Sequence, residues 1–431
     1  MKRILALPIL CLLLAAPAAL AQSPDARAET PGPEVYRERR ARLAESAGDG
    51  SLIVLGNVAG EFQPRNKYFY YLTGVTGETG VLALYRSQKD LRELLFLPES
   101  SAGDEIWNGP ILAHGPAAQK TTGLKTLPLD SAAESLGTLV SQARRLLLDP
   151  AEFEGDGTIR AVAEVLARSG VETESPAGIL DGMRLVKDRH ELALLQRAID
   201  VTGAGILEAM RSAEPGMHEY ELQAVAEYLF RRGGSEGNGF DSILGSGPNS
   251  CILHYRDNRR KMEDGDLVVM DIGAEFRVYT ADVTRTYPVS GRFSKRQKEI
   301  YDLVLAAQEA GIATCRPGKT VHEVHAAAER VLARAGMAEH FWHGTSHWLG
   351  LDVHDVGDYS QPLEPGMVLT VEPGIYLPNE ELGVRIEDDV LVTDGDPLVL
   401  SGWIPRKTDE IETWMAQEGF GNVRREYEKA K

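Results

Sequence analysis

Apolar residues are spaced in two ways along this chain. Between residues 51 and 98 they form short runs: SLIVLG (51–56), YFYYLTG (68–74), GVLALY (80–85) and ELLFLP (93–98). Runs of this length predict buried strands. A charged helical pattern precedes them at 34–47. Helical patterns follow at about 131–144 and at 158–168, with a strand-like RLLLD (145–149) between them. Strands mixed with helices predict an α/β domain over residues 34–175. ETESPAGILDGMRLVKD (172–188) reads as a linker, and from Arg189 a long helical pattern belongs to a second domain at 183–412.

The second domain repeats itself. PGMHEYELQAVAEYLFRRGG (215–234) aligns without gaps on PGKTVHEVHAAAERVLARAG (317–336), with eight of twenty positions identical. EDGDLVVMDIGAEF (263–276) then matches LEPGMVLTVEPGIY (363–376), which sets Asp271 on Glu372. Further on, ADVTRT and IEDDVLVT set Asp282 near Glu387. Two copies imply a duplicated domain, each half a helix pair plus an antiparallel sheet, related by a pseudo-twofold axis.

The segment LVVMDIGAEFRVYTADVTRT (267–286) predicts a hairpin of two apolar strands, each interrupted by one aspartate. A buried charge without a partner costs several kcal/mol. A pseudo-twofold axis gathers equivalent residues, so Asp271, Asp282, Glu372 and Glu387 are expected to converge. Four carboxylates in one pocket repel unless neutralised, and two divalent cations balance them. His347, in GTSHWLGLDVHD, is the best candidate for a neutral fifth ligand. Oxygen-rich ligands with one imidazole suit manganese, with zinc or cobalt as alternatives, better than a soft metal. Water bridging two such ions becomes acidic enough to attack a carbonyl or phosphoryl centre. Thr284 and Thr286 flank Arg285 just after Asp282, where their hydroxyls can orient carboxylates.

The first 21 residues read as a secretory signal peptide: Lys2 and Arg3, an apolar run from Ile4 to Leu14, then Ala19, Leu20 and Ala21 before Gln22. Export to the periplasm, or full secretion, is the expectation, with no stable membrane insertion after cleavage. Losing Lys2 and Arg3 takes the net charge from −18 to −20, which excludes a nucleic-acid footprint. Cys251 and Cys315 lack zinc-ligand spacing and read as free thiols.

CILHYRDN, DGDLVVMDIGAEF, ADVTRTYPVSGRFSKRQKEIYDLVL, HGTSHWLGLDVHDVG, LEPGMVLTVEPGIY and GVRIEDDVLVT together resemble aminopeptidase P, the Xaa-Pro aminopeptidase branch of the pita-bread metallopeptidases. The resemblance spans about 183–412 and extends to RNKYFYYLTGV and DEIWNGP in the first domain. It implies an α+β pita-bread catalytic domain of the creatinase/aminopeptidase type behind an α/β N-terminal domain. It also implies metal ligands Asp271, Asp282, His347, Glu372 and Glu387, with Asp282 and Glu387 bridging both ions. His254 and His354 match active-site histidines that bind substrate and stabilise the tetrahedral intermediate, and Glu372 is expected to move the proton to the leaving nitrogen. His343 matches a histidine near the substrate proline, and Arg385 an arginine beside the site; both are expected on the substrate side. The implied activity removes the N-terminal residue from peptides with proline second, by attack of a bridging hydroxide, in a homodimer or tetramer. AGMAEHFWHG and IYLPNEELGVRIED are shorter than expected of bacterial members, which bears on pocket shape and preferred peptide length.

Three other readings remain at this level. Prolidase, cleaving only Xaa-Pro dipeptides, shares much of the pattern. A secreted binding module on the same scaffold, with metals only structural, is a second, and the intact ligand set argues against it. A two-metal phosphoesterase would need more basic residues than Arg285 and Arg385.

Overall fold

The structure, a computed structural model, describes residues 31–60, 64–88 and 90–423; the expected leader, 1–21, lies outside them. The first part of the chain builds a six-stranded mixed sheet. Its order across the sheet is Lys125–Pro128, Asp90–Leu97, Gly80–Ser87, Ser51–Asn57, Arg145–Leu147 and Thr173–Glu174. Period-two alternation explains why both faces are covered. Leu52 and Val54 pack with Leu136, Leu139, Ile159 and Val162 of the helices Ala132–Val140 and Gly157–Ala167. Ile53 and Leu55 face the other way, toward Leu43, Phe69 and Tyr71.

Two expectations are corrected here. YFYYLTG is not a strand: Lys67–Thr73 is an α-helix. The Asn66 side chain accepts from the backbone N–H groups of Tyr68 and Phe69, and Gly74 closes the helix at φ 73°. Capping at both ends outweighs the strand preference of the aromatic residues. The segment 172–188 is not an unstructured linker either. It holds the helix Ala177–Leu185, and Val186 then bridges to Met367 in the second domain.

The duplication is visible as architecture. The helix pair Arg189–Ser212 and Glu219–Arg232 serves the first half, and Lys295–Thr314 with Val321–Arg334 serves the second. The first helix of each pair opens on a capping box, at Asp188 and Ser294. Each half then runs through four strands in the same order: Leu267–Ile272, Ala274–Phe276, Tyr279–Thr280 and Val283–Pro288, against Val368–Val371, Gly374–Leu377, Leu382–Arg385 and Asp388–Leu391. In both halves the outer two strands pair antiparallel, and so do the inner two.

The expected hairpin therefore has a smaller hairpin at its tip. Asp271 lies inside its strand opposite Thr284, whereas Asp282 sits one residue before the returning strand. At the tip Arg277 and Val278 have φ of 48° and 70°. A β-branched residue rarely adopts that conformation. Val278 is held there by burial among Phe69, Tyr70 and Tyr71 of the first part of the chain. Cys251 and Cys315 are both free.

Candidate active site

Asp271 is the last residue but one of the buried strand Leu267–Ile272, and Glu372 directly follows Val368–Val371; Asp282 and Glu387 directly precede Val283–Pro288 and Asp388–Leu391. The duplicated strands thus deliver two pairs of carboxylates from opposite sides to one place. His347 joins them from the segment before Trp348, which bridges to Leu369. Asp271, Asp282, His347 and Glu387 are 8%, 5%, 6% and 1% exposed. Ligand atoms of Asp282, His347 and Glu387 lie within 4.8 Å of one another, a group that can hold a metal ion. His347 Nε2 lies 3.3 Å from Asp282 Oδ2 and 3.5 Å from Glu372 Oε1.

The donor set fits divalent cations on three counts. Asp271 Oδ1 and Asp282 Oδ1 are buried without a hydrogen-bond partner, a costly state for a carboxylate unless a cation meets it. Burial, then the neighbouring carboxylates, hold Asp282 and Glu387 well above the usual carboxylate range. Burial also raises Glu372, against the pull of His347 and Arg385. The tautomer of His347 agrees as well. Its Nδ1 lies 3.0 Å from the Trp348 carbonyl, which can only accept, so Nδ1 carries the proton and the Nε2 lone pair faces the carboxylates.

Surrounding groups orient this set. Thr284 Oγ1 donates to Glu387 Oε2 at 2.7 Å. Arg385 donates to Asp271 Oδ2 at 2.7 Å, to the Tyr376 hydroxyl at 3.0 Å and to Thr284 Oγ1 at 3.3 Å. Arg285 is wholly buried and donates to the carbonyls of Thr284, Glu387, Ile404 and Pro405 and to the carboxylate of Asp388. Asp389 accepts from the Asp282 N–H at 3.3 Å, and burial holds it well above the usual range. Sequence reasoning missed Tyr376, Asp388 and Asp389. Three successive acids in GVRIEDDVLVT were the available signal for the last two. The Thr286 hydroxyl instead donates to the Arg385 carbonyl and accepts from the Arg385 N–H.

A cavity of about 460 Å³ opens over the set. It is lined by every expected site residue: His254, Asp271, Asp282, His343, His347, His354, Glu372, Arg385 and Glu387. Phe240, Asp241, Ile243, Val353 and Tyr359 complete much of the wall. His354 stacks on His347 with ring centroids 4.0 Å apart. Burial and then His347 and His254 push His354 down to about 4. His343 is pushed down to about 4 by burial and then Arg385. Both imidazoles are neutral at pH 7. His343 Nδ1 donates to the Gly344 carbonyl, and its Nε2 takes the Tyr376 hydroxyl proton, each at 2.8 Å. Both ring nitrogens of His343 are thus engaged by the protein, and Arg385 is held on Asp271 and Tyr376.

Comparison with known proteins now adds to this geometry. Residues 193–394 match the model of metallopeptidase family M24, and residues 36–148 match that of the aminopeptidase P N-terminal domain. An Xaa-Pro aminopeptidase of Escherichia coli is 34% identical over 88% of this chain and 97% of its own. The chain belongs to the aminopeptidase P family. An Xaa-Pro aminopeptidase of Haemophilus influenzae, 32% identical over 89% and 97%, is a further member. Mitochondrial intermediate cleaving peptidase 55 of Arabidopsis thaliana is 30% identical over 92% and 86%. Zinc-substituted E. coli aminopeptidase P in complex with product superposes with a TM-score of 0.82 at 31% identity, over 90% of this chain and 98% of that one. The family thus accounts for the two-part architecture and for the pita-bread duplication.

Proposed function

We propose that this chain is a metal-dependent Xaa-Pro aminopeptidase, releasing the N-terminal residue of peptides whose second residue is proline. The observation that carries the reading is the convergence of Asp271, Asp282, His347, Glu372 and Glu387 at the floor of one cavity, in a member of a family whose relatives bear that activity in their names. The same relatives favour it over prolidase. Two ions, manganese first, would be held by these five residues. When bound, such ions polarise a carbonyl and lower the pKa of water to near neutrality.

The chain's own groups do the rest. An Xaa-Pro bond lacks an N–H, so the substrate must be held through its carbonyl oxygen and terminal amine. His354 and His254, both at the cavity wall, stabilise the oxygen as it gains charge. Glu372 moves the proton to the leaving nitrogen. His343, its nitrogens already engaged, offers the proline ring a flat face, while Arg385 holds the Asp271 carboxylate in place. Export to the periplasm, with secretion as the alternative, and assembly into a homodimer or tetramer belong to the same proposal.

The test is to strip the metal from the mature chain, restore manganese, and offer Gly-Pro beside Arg-Pro-Pro with products read by mass spectrometry. Metal-dependent release of arginine from the tripeptide is the expected result. Cleavage of the dipeptide alone would make the protein a prolidase. Asp282→Asn and Glu387→Gln are each expected to abolish turnover, and near-normal rates with metal bound would refute the assignment.

A further inference from the structure

Behind the cavity wall, two buried cations close on one carboxylate. Asp355 immediately follows His354. Its Oδ1 accepts from Arg184 Nη2, and its Oδ2 from Lys187 Nζ at 3.2 Å. The side chains of Arg184, Lys187 and Asp355 are 3%, 0% and 1% exposed. The same Arg184 nitrogen reaches Asp352 at 2.8 Å, and the Lys187 ammonium also donates to the Leu185 carbonyl at 3.3 Å.

A cluster this dry is a poor device for stability alone. Desolvating each ion costs several kcal/mol, and apolar replacements often stabilise as well or better. What the cluster gives is a fixed geometry. The Asp355 N–H donates to the Trp348 carbonyl at 2.9 Å, the same oxygen that takes the His347 Nδ1 proton. Lys187 N–H donates to the Gly366 carbonyl at 2.9 Å, and Val186 bridges to Met367, just before the strand Val368–Val371 that Glu372 follows. Gly350 leaves room for the cluster: a Cβ there would stand 2.0 Å from Asp355 Oδ2. His354 is thus one residue from a point tied at once to the His347 carbonyl partner, to the approach of Glu372 and to the segment joining the two domains.

We propose that Asp355, clamped by Arg184 and Lys187, is a positioning residue that fixes the His354 imidazole over the cavity; its kinetic consequence rests on the aminopeptidase reading. Displacing a group by about 1 Å in an active site can cost about 100-fold in rate. Asp355→Asn, which keeps the shape and loses the charge, is expected to lower kcat on Arg-Pro-Pro by about 10-fold or more, with KM within about twofold and metal content unchanged.

The decisive measurement is a double-mutant cycle in the full metal-loaded chain. In a His354→Ala background, Asp355→Asn should lower kcat by less than about twofold, while its drop in Tm stays the same in both backgrounds. An equal kcat loss in both backgrounds, or none in either, would overturn the proposal. A second readout needs no activity. In zinc-loaded protein, the His354 ring resonance, assigned by its loss in His354→Ala, should move in Asp355→Asn while that of surface His340 stays. An unmoved His354 signal would also overturn the proposal, whereas absence of turnover in the parent protein would count against the aminopeptidase reading alone. Should Asp355→Asn fail to fold, Lys187→Met keeps Arg184 on Asp355 and is expected to give a milder form of both effects, with Lys187→Arg restoring them toward normal.

Discussion

The hydroxyl of Thr284 donates to Glu387 Oε2 at 2.7 Å and accepts from Arg385 Nε at 3.3 Å, and Arg385 in turn holds Asp271. One small side chain therefore links carboxylates from both halves of the duplicated domain. Groups that orient metal ligands typically matter about 10–100-fold in metal affinity. Thr284→Val keeps the branched shape and removes the donor. It is expected to weaken metal binding by that factor in a metal titration, and Thr284→Ser to retain most of it; equal affinity in the Val variant would show that Glu387 needs no such support. The ligands themselves were legible in the sequence for a physical reason: a charge inside an apolar run is expensive, and four such charges in repeat register are hard to explain without a cation. Tyr376 was not legible, because a tyrosine in a strand looks ordinary until Arg385 and His343 meet its hydroxyl. The same holds for the engagement of both His343 nitrogens, since a tautomer is set by partners distant in sequence.

The helix Lys67–Thr73 marks where element-level reading failed. A run in which nearly every position is apolar has no period to separate helix from strand, and its short length and aromatic content point to a strand. The information lay at its ends. Asn66 caps two backbone N–H groups through Oδ1 and gives its amide to the Gly56 carbonyl at 2.8 Å. Asn66→Ala is expected to cost about 1–2 kcal/mol, read as a lower urea midpoint with an unchanged slope. Asn66→Ser, which keeps a capping oxygen and loses the amide's bonds to the Gly56 carbonyl and the Glu152 carboxylate, should cost less; equal losses would mean that the cap contributes nothing. The helix Ala177–Leu185 was hidden similarly. Its proline, glycines and polar lead-in resemble a linker, and only its packing reveals Arg184 and Lys187 as buried. Elements with clear periods and caps, such as Arg189–Ser212 and Val321–Arg334, were legible from their patterns.

At the scale of the whole chain, the protein carries a net charge of −18 and gathers buried acids on its pseudo-twofold axis, so its stability is tied to cations and to pH. The folded-state pKa values of Asp282, Glu372 and Glu387 are raised first by burial and then by neighbouring carboxylates, Asp271 acting on all three. Above their ordinary range, near pH 4, the metal-free fold keeps protons that the unfolded chain has released. The stability these groups lend is complete below that range and is lost as pH rises through the raised values. Metal ions displace those protons, so metal binding strengthens as pH rises. At a thousandfold excess over Kd it adds about 4 kcal/mol to folding. The two trends have opposite signs, so the gap in Tm between manganese-loaded and chelator-treated protein is expected to widen from pH 5.5 to pH 8. Most of the widening should come from the falling Tm of the metal-free form. Asp282→Asn should flatten the slope of that form, because it removes one member of the repelling set. A gap that stays constant or narrows with pH would mean that the carboxylates are relieved by the protein itself, and would remove the physical reason for placing two cations on the axis.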